Sequence, residues 1–254
     1  MNEYDVIVIG AGSTGENVAD RAKAGGVSVV IIESELVGGE CSYWACMPSK
    51  ALLRSGAAMR AAQRVGGARE SVTGELDVAA VLARRDSTVH DWSDKSQVKW
   101  LDSVGVDLVR GEARITGERE VTVRFADGEE QVYHAGHAVA VCTGTAALLP
   151  DIPGLHDSAP WTSREAASAK RVPRSLAILG GGVVGVEMAT AYAGFGTEVT
   201  LIARSGLLGN EEPFAGELVQ KGLQELGATV VIGVSPTSVR RTGDEVHLEL
   251  DDGA

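Results

Sequence analysis

The sequence predicts an α/β protein built from two successive β-α-β units, and three observations carry that prediction. "YDVIVIGAGSTGENVADRAKAGGVSVVIIE", from Tyr4 to Glu33, is an apolar run, a glycine-rich turn, a helical stretch and a second apolar run. "SLAILGGGVVGVEMATAYAGFGTEVTLIAR", from Ser175 to Arg204, repeats that plan. Hydrophobic residues fill 44% of the 254 positions, which suits one or two buried cores and argues against disorder.

In the first unit Gly10, Gly12 and Gly15 form G-x-G-x-x-G, and in the second Gly180, Gly182 and Gly185 do the same. From the first glycine to the end of the second apolar run is 23 positions in both cases, Gly10 to Glu33 and Gly180 to Ala203. The repeat is therefore in register through a whole unit. One such motif is weak, because glycine-rich turns serve many loops. Two of them, each between a strand and a helix with a second strand at the right distance, point to two Rossmann-like dinucleotide-binding domains. The glycines let the backbone approach a pyrophosphate, whose charge then sits against a helix N-terminus. The competing reading is an ordinary pair of β-α turns.

Between the units, helices are expected over about 49–64 and 78–101. "VDLVRGEARI", "REVTVRFADG" and "EEQVYHAG" read as strands, with Asp127 and Gly128 as a hairpin turn. "HAVAVCTGTAALLPDIPGL" reads as a buried strand running into a Gly/Pro-rich connection. That connection, about 150–154, is the expected boundary between domains 1–152 and 153–254.

The net charge of −12 argues against nucleic acid or an anionic membrane as a general partner. No run reaches the ~18 apolar residues of a membrane span, and "MNEYDVIVIG" lacks the layout of a secretory signal. A cytoplasmic location is expected, where paired cysteines more often mean redox or metal chemistry than a structural bridge.

Such a pair stands in "VGGECSYWACMPSKALLR", where Cys41 and Cys46 are five positions apart. On a regular helix their Cα atoms would be roughly 8 to 9 Å apart, beyond the reach of a disulfide at about 4.4 to 6.8 Å. Either the two never bond, or the chain at Cys41 is held out of helical geometry, as Gly38 and Gly39 would permit. Half of a zinc site is a third reading, but no second Cys or Cys/His pair supplies the remaining ligands, and no metal is expected.

From Tyr4 onward the sequence resembles the pyridine nucleotide-disulfide oxidoreductases, the family of glutathione reductase, dihydrolipoamide dehydrogenase and mercuric reductase. The most specific part is "GGECSYWACMPSK", similar to the family's redox-active disulfide signature; Ala45 stands where the family usually has Gly. "VAVCTG", ending in Thr143 and Gly144, is similar to the family's strand ending in Ala-Thr-Gly, and "LLPDIPG" to the linker after it. Cys142 replaces the usual alanine and reads as a small core residue. The resemblance implies that Cys41 and Cys46 form a catalytic disulfide against a flavin, with Cys46 exchanging electrons with the ring and Cys41 attacking substrate. A low-pKa thiolate suits both roles, and a helix N-terminus helps to provide one. Gly39 would lie against the cofactor. Lys50 would approach the flavin and pair with Glu187, a carboxylate in an otherwise small and apolar segment that needs a partner if buried.

Glu33 ends the second strand where an acidic residue accepts hydrogen bonds from ribose hydroxyls, so with this family the first unit is expected to hold FAD. In the second unit Ala203 takes that place and Arg204 follows. An arginine there can bind a 2′-phosphate, which favours NADPH over NADH. "VTLIARSGLLGNEEPFAGEL" also resembles the corresponding part of mercuric reductases, which use NADPH, although "SGLLGNEE" turns acidic and offers no second basic residue.

The implied activity is electron transfer from NADPH through FAD to the Cys41–Cys46 disulfide and on to a small disulfide or other electron acceptor. Two alternatives remain open: a mercuric ion or quinone reductase of the same family, and a nucleotide-binding portion without turnover. In the family the acid-base histidine comes from the C-terminal domain of the other subunit of a homodimer. His90, His134, His137, His156 and His247 lie in no matching motif. The chain ends within an expected β-hairpin, so the second nucleotide domain reads as incomplete and the dimerisation domain as absent. The 254 residues alone are expected to be inactive.

Overall fold

The computed structural model describes residues 2–253. In chain order its elements are β1 (Asn2–Ile9), α1 (Ser13–Ala24), β2 (Val29–Glu33), α2 (Gly39–Tyr43), α3 (Cys46–Gln63), α4 (Val78–Thr88), α5 (Lys95–Val104), β3 (Asp107–Arg110), β4 (Glu112–Gly117), β5 (Glu120–Arg124) and β6 (Glu130–Val141). After a connection come α6 (Ser163–Ser168), β7 (Ser175–Leu179), α7 (Val183–Gly194), β8 (Glu198–Ala203), α8 (Pro213–Glu225), β9 (Thr229–Ile232), β10 (Pro236–Thr242) and β11 (Glu245–Leu250). The chain divides into two compact units, Met1–Met47 with Asp86–Ala146, and Pro48–Arg85 with Ala147–Ala254.

The first unit is a six-stranded sheet in the order β3-β2-β1-β6-β5-β4. β3, β2, β1 and β6 run parallel, while β5 and β4 pair antiparallel beyond them. All five residues of β2 are buried, as expected of a parallel strand covered on both faces. The strand's period of two divides the core. Val8, Val29 and Ile31 pack with Ala19 of α1, Leu101 and Val106 on one face. Ile7, Ile9, Val30 and Ile32 pack with Val121, Val123 and Tyr133 on the other.

The second unit repeats the β-α-β plan in a parallel sheet ordered β7-β8-β9. α1 and α7 each span 12 residues, so the equal spacing read from the sequence corresponds to equal helices. Val186, Ala189 and Tyr192 of α7 join Val199, Leu201 and Leu223 in its core. Leu52 of α3 and Val81 of α4 pack with Ala191 of α7, which explains why Pro48–Arg85 belongs to this unit by contact. Compactness alone thus divides the stretch 1–152 and returns the chain to the second unit at Ala147. Arg85, fully buried, donates to the carbonyls of Ala167 and Ala169 (2.9 Å for the latter) and secures the end of α6.

Three sequence expectations need correction. The helix expected over 78–101 is two helices, because His90, Asp91 and Trp92 adopt left-handed φ values of 52°, 52° and 56°. "VDLVRGEARI" is two strands: β3 pairs with β2 and β4 with β5, with Gly111 between them donating to the Glu33 carbonyl at 3.0 Å. "EEQVYHAG" and the following "HAVAV" form the single strand β6. The hairpin at Asp127–Gly128 is present, with Gly128 at φ 87° donating to the Phe125 carbonyl at 3.0 Å. β10 and β11 form the expected C-terminal hairpin.

Candidate active site

In the first unit the turn after β1 is built on two glycines, Gly10 and Gly15, that no other residue could replace without moving backbone. A Cβ on Gly15 would lie 1.9 Å from the Gly10 carbonyl oxygen. Gly10 itself has φ 96°, and a Cβ there would meet the Cys142 carbonyl oxygen at 2.4 Å and the Thr143 Cα at 3.3 Å. Thr143 and Gly144 therefore abut the turn, as two exposed residues at the end of β6. Gly12 is the N-cap of α1 and offers no side-chain cap, which leaves the helix's first N–H groups available to an anion. Glu33, buried at the end of β2, accepts from the Ala11 N–H at 2.7 Å and the Glu35 N–H at 2.7 Å. Each of its oxygens retains a lone pair for a ribose hydroxyl. These features fit a dinucleotide such as FAD: a close backbone approach, an open helix N-terminus and a fixed carboxylate. A groove of about 640 Å³ along α1 is lined by Ser13, Thr14, Asn17, Val18 and Arg21.

The cysteine loop docks on the same turn. Gly38 bridges to Gly12 and donates to the Ala11 carbonyl at 2.7 Å, and a Cβ on Gly39 would lie 2.8 Å from the Gly12 Cα. Gly38 at φ 114° and Gly39 at φ 58° turn the chain into α2. α2 ends at Trp44, whose φ of −133° leaves helical geometry, and α3 restarts at Cys46. That break resolves the spacing problem: Cys41 and Cys46 are free thiols hydrogen-bonded to each other, not partners five apart on one helix.

Their environments differ. Cys46 is exposed at the first position of α3. Cys41 lies inside α2, and burial, then the Cys46 thiol, push it up to about 11. The low-pKa thiolate expected at Cys41 is thus corrected for this reduced pair, since desolvation outweighs any benefit from a helix end. Cys142 packs beneath the sheet with Ala19 and Val8, and burial raises its thiol as well. Among the described residues no cluster of three or more His, Cys, Asp or Glu could hold a metal.

Sequence reasoning missed the side chains that hold the cysteine loop. Trp92 Nε1 donates to the Tyr43 carbonyl at 3.1 Å, and the Tyr43 hydroxyl reaches the Ser93 carbonyl at 3.5 Å. Asp94 accepts from the Val37 N–H at 2.9 Å and from Arg110, which also donates to the Glu35 carbonyl at 2.5 Å. The left-handed turn that presents Trp92 costs about 1 to 2 kcal/mol per residue. Its only signal in the sequence is the polar stretch "HDWSD" inside an otherwise helical pattern. Glu16 was also missed, although it directly follows the glycine motif. Its Oε1 is buried without a hydrogen-bond partner, and burial raises its carboxyl.

The second unit holds the other residues singled out. Gly180 has φ 109°, a Cβ on Gly185 would lie 2.2 Å from the Gly180 carbonyl oxygen, and Gly182 caps α7 facing open space. Val183 and Val184 at the start of α7 are exposed. Lys50 Nζ lies 2.5 Å from Glu187 Oε1, so the structure joins these two residues. Ala203 is buried at the end of β8, and Arg204 beside it is exposed.

Comparison with known proteins agrees with this geometry. Mercuric reductase of Bacillus cereus is 32% identical over 254 residues, covering 98% of this chain and 39% of that protein. Dihydrolipoyl dehydrogenase of Chlorobaculum parvum is 35% identical over 251 residues, covering 98% of this chain and 53% of that one. The chain thus spans about half the length of the curated relatives it matches. In fold it is similar to the HOCl-induced flavoprotein disulfide reductase RclA of Escherichia coli, solved as a Cu(II) complex, with a TM-score of 0.83 and 23% identity over 98% of this chain and 53% of that one. The profile of the pyridine nucleotide-disulphide oxidoreductases, which use FAD and NAD(P)H, matches residues 4–254. With two glycine turns of one design and a thiol pair docked on the first, the chain belongs to the pyridine nucleotide-disulphide oxidoreductase family.

Proposed function

We propose that this chain is the nucleotide-binding portion of a cytoplasmic, homodimeric disulfide reductase that draws electrons from NADPH through FAD. The observation that carries the reading is the Cys41–Cys46 thiol pair, hydrogen-bonded at the break between α2 and α3 and seated on the Gly10–Gly15 turn. FAD, when bound, supplies the two-electron relay between the nicotinamide and this pair.

The chain's own residues bind and orient. The first N–H groups of α1 and the carboxylate of Glu33 take the pyrophosphate and ribose of FAD, with Gly39, Thr143 and Gly144 closing around it. Gly180, Gly182 and Gly185 do the same for the nicotinamide dinucleotide, and Arg204 takes the 2′-phosphate. Lys50, fixed by Glu187, places a positive charge toward the flavin. Cys46, at a helix N-terminus, is the thiol that faces the ring, and Cys41 is the thiol that meets substrate.

The test is thiol mapping in the flavin-loaded, full-length protein. Before anaerobic addition of NADPH, Cys41 and Cys46 should resist alkylation; afterwards both should label, with Cys142 unchanged. Equal labelling of both thiols before and after would sink the reading. A second reading, reduction of mercuric ion at the same thiols, is favoured by the mercuric reductases among the relatives. NADPH oxidation that depends on Hg(II) and not on small disulfides would select it.

A further inference from the structure

The two glycine turns are alike well beyond their sequence motif. Gly180 stands 170 positions after Gly10, and the backbone bonds around the two turns keep that offset. Gly10 donates to the Ile32 carbonyl and Gly180 to that of Ile202, both at 2.8 Å. The loop after β2 closes when Gly38 donates to the Ala11 carbonyl at 2.7 Å, and the loop after β8 closes when Leu208 donates to the Gly181 carbonyl, also at 2.7 Å. Leu208 even adopts a left-handed φ of 51°, where Gly38 has 114°. A leucine rarely takes that conformation, so the second loop is held to the plan of the first.

One side chain breaks the equivalence. In the first unit the Glu33 carboxylate accepts from the N–H groups of Ala11 and Glu35, at 2.7 Å each. Their counterparts in the second unit are the N–H groups of Gly181 and Ser205, and the counterpart of Glu33 is the methyl of Ala203. Among the described residues the Gly181 and Ser205 N–H groups have no hydrogen-bond partner. Two donors that converge on an anion in one unit are thus left without one in the other. The space around them is open: a Cβ on Gly180, Gly182 or Gly206 would meet nothing within 4 Å, Gly181 is half-buried and Ser205 is exposed. Arg204, between Ala203 and Ser205, is exposed and has no ion pair among the described residues.

We infer that the Gly181 and Ser205 N–H groups are specificity-determining donors for the 2′-phosphate of NADPH, receiving it where the Glu33 carboxylate stands in the first unit. The inference rests on the reading, given above, that Arg204 takes this phosphate. Ala203 leaves the room, Arg204 supplies the charge, and the two N–H groups supply direction in place of the second basic residue that "SGLLGNEE" lacks. Backbone donors that suit a carboxylate suit a phosphate, since both are anions with several acceptor oxygens. The single 2′-hydroxyl oxygen of NADH carries no charge for these donors.

Two substitutions separate the backbone donors from the arginine. Arg204→Ala should keep about a 10-fold preference for 2′,5′-ADP over 5′-AMP, because a charge-assisted bond to the N–H groups survives. Ala203→Glu should set a carboxylate on the same N–H groups, as Glu33 does in the first unit. It should weaken 2′,5′-ADP about 100-fold and leave 5′-AMP bound at least as well as in the parent, because its 2′-hydroxyl can donate to the new carboxylate.

The experiment follows the amide resonances of the flavin-loaded, full-length protein, labelled with ¹⁵N-glycine and ¹⁵N-serine, during titration with 2′,5′-ADP and with 5′-AMP, beside calorimetry of both nucleotides. The Gly181 and Ser205 amide protons should move downfield with 2′,5′-ADP and not with 5′-AMP. In Ala203→Glu they should stand downfield before any ligand is added and respond to neither nucleotide; if that variant does not fold, the parent titration decides alone. Unmoved amides, or amides that answer both nucleotides alike, in a parent that still prefers 2′,5′-ADP would overturn the inference and leave the role of Arg204 standing. Equal affinity of the parent for the two nucleotides would instead remove the NADPH reading, and the inference with it.

Discussion

Replacing Gly182 with alanine separates what the second glycine turn does for the fold from what it does for a ligand. Gly182 has φ −76° and ψ 178°, a conformation any residue adopts, and a Cβ built on it meets nothing within 4 Å. Alanine is a poorer N-cap than glycine, but it restricts the unfolded chain, a gain of about 0.4 to 1 kcal/mol. Stability should therefore change by no more than about 0.5 kcal/mol. A bound pyrophosphate would occupy that open space, and the new methyl would push it off the N–H groups of α7. One lost charge-assisted hydrogen bond, about 1.5 to 3 kcal/mol, means a 10- to 100-fold weaker complex. Gly185→Ala should behave differently, because its Cβ would sit 2.2 Å from the Gly180 carbonyl oxygen. Backbone must move, at about 1 to 3 kcal/mol or more, before any ligand is added. The assay is thermal unfolding without nucleotide beside calorimetric titration with NADPH. Parent-like NADPH affinity in Gly182→Ala would refute the cradle, and a parent-like melting temperature in Gly185→Ala would refute the packing argument. Gly12→Ala and Gly15→Ala should repeat the contrast for FAD, since their added Cβ atoms would stand 3.9 Å from the Gly39 Cα and 1.9 Å from the Gly10 oxygen.

Arg204→Ala should reduce the preference for NADPH over NADH by roughly one to two orders of magnitude in steady-state kinetics; equal use of both by the parent would remove the 2′-phosphate role. Cys46→Ser should abolish the thiolate-to-flavin charge-transfer absorbance, Cys41→Ser should keep it, and Cys142→Ser should change neither spectrum nor turnover. Glu187→Gln should slow flavin reduction while shifting stability by less than about 1 kcal/mol, because the Lys50 side chain is 63% exposed. A large loss of stability with unchanged kinetics would make the pair structural. Trp92→Phe should cost about 1 kcal/mol through the lost bond to the Tyr43 carbonyl and should loosen the cysteine loop, read as faster hydrogen exchange at Cys41–Trp44.

The two β-α-β units were legible in the sequence because their signals are local. A short apolar run, three glycines at fixed spacing and an amphipathic or small-residue helix specify their own backbone, and the equal 23-position spacing announced equal helices. The cysteine pair was legible as chemistry but not as geometry. The spacing of Cys41 and Cys46 left bonded and unbonded arrangements open, and only the break at Trp44 decided that the thiols meet. Tertiary structure alone decided the rest, because the determining contacts come from far along the chain. The helix expected over 78–101 yields at His90–Trp92 so that Trp92 and Asp94 can hold residues near Val37 and Tyr43. "VDLVRGEARI" is cut at Gly111 because its halves find different partner strands, β2 and β5. The docking of the cysteine loop on the first turn follows from Gly12 meeting Gly38 and Gly39, a contact between residues 26 and 27 positions apart that no local pattern encodes. Local propensity is a sum over neighbours in sequence, whereas burial and long-range hydrogen bonds are a sum over neighbours in space, and each outcome here follows whichever sum is larger.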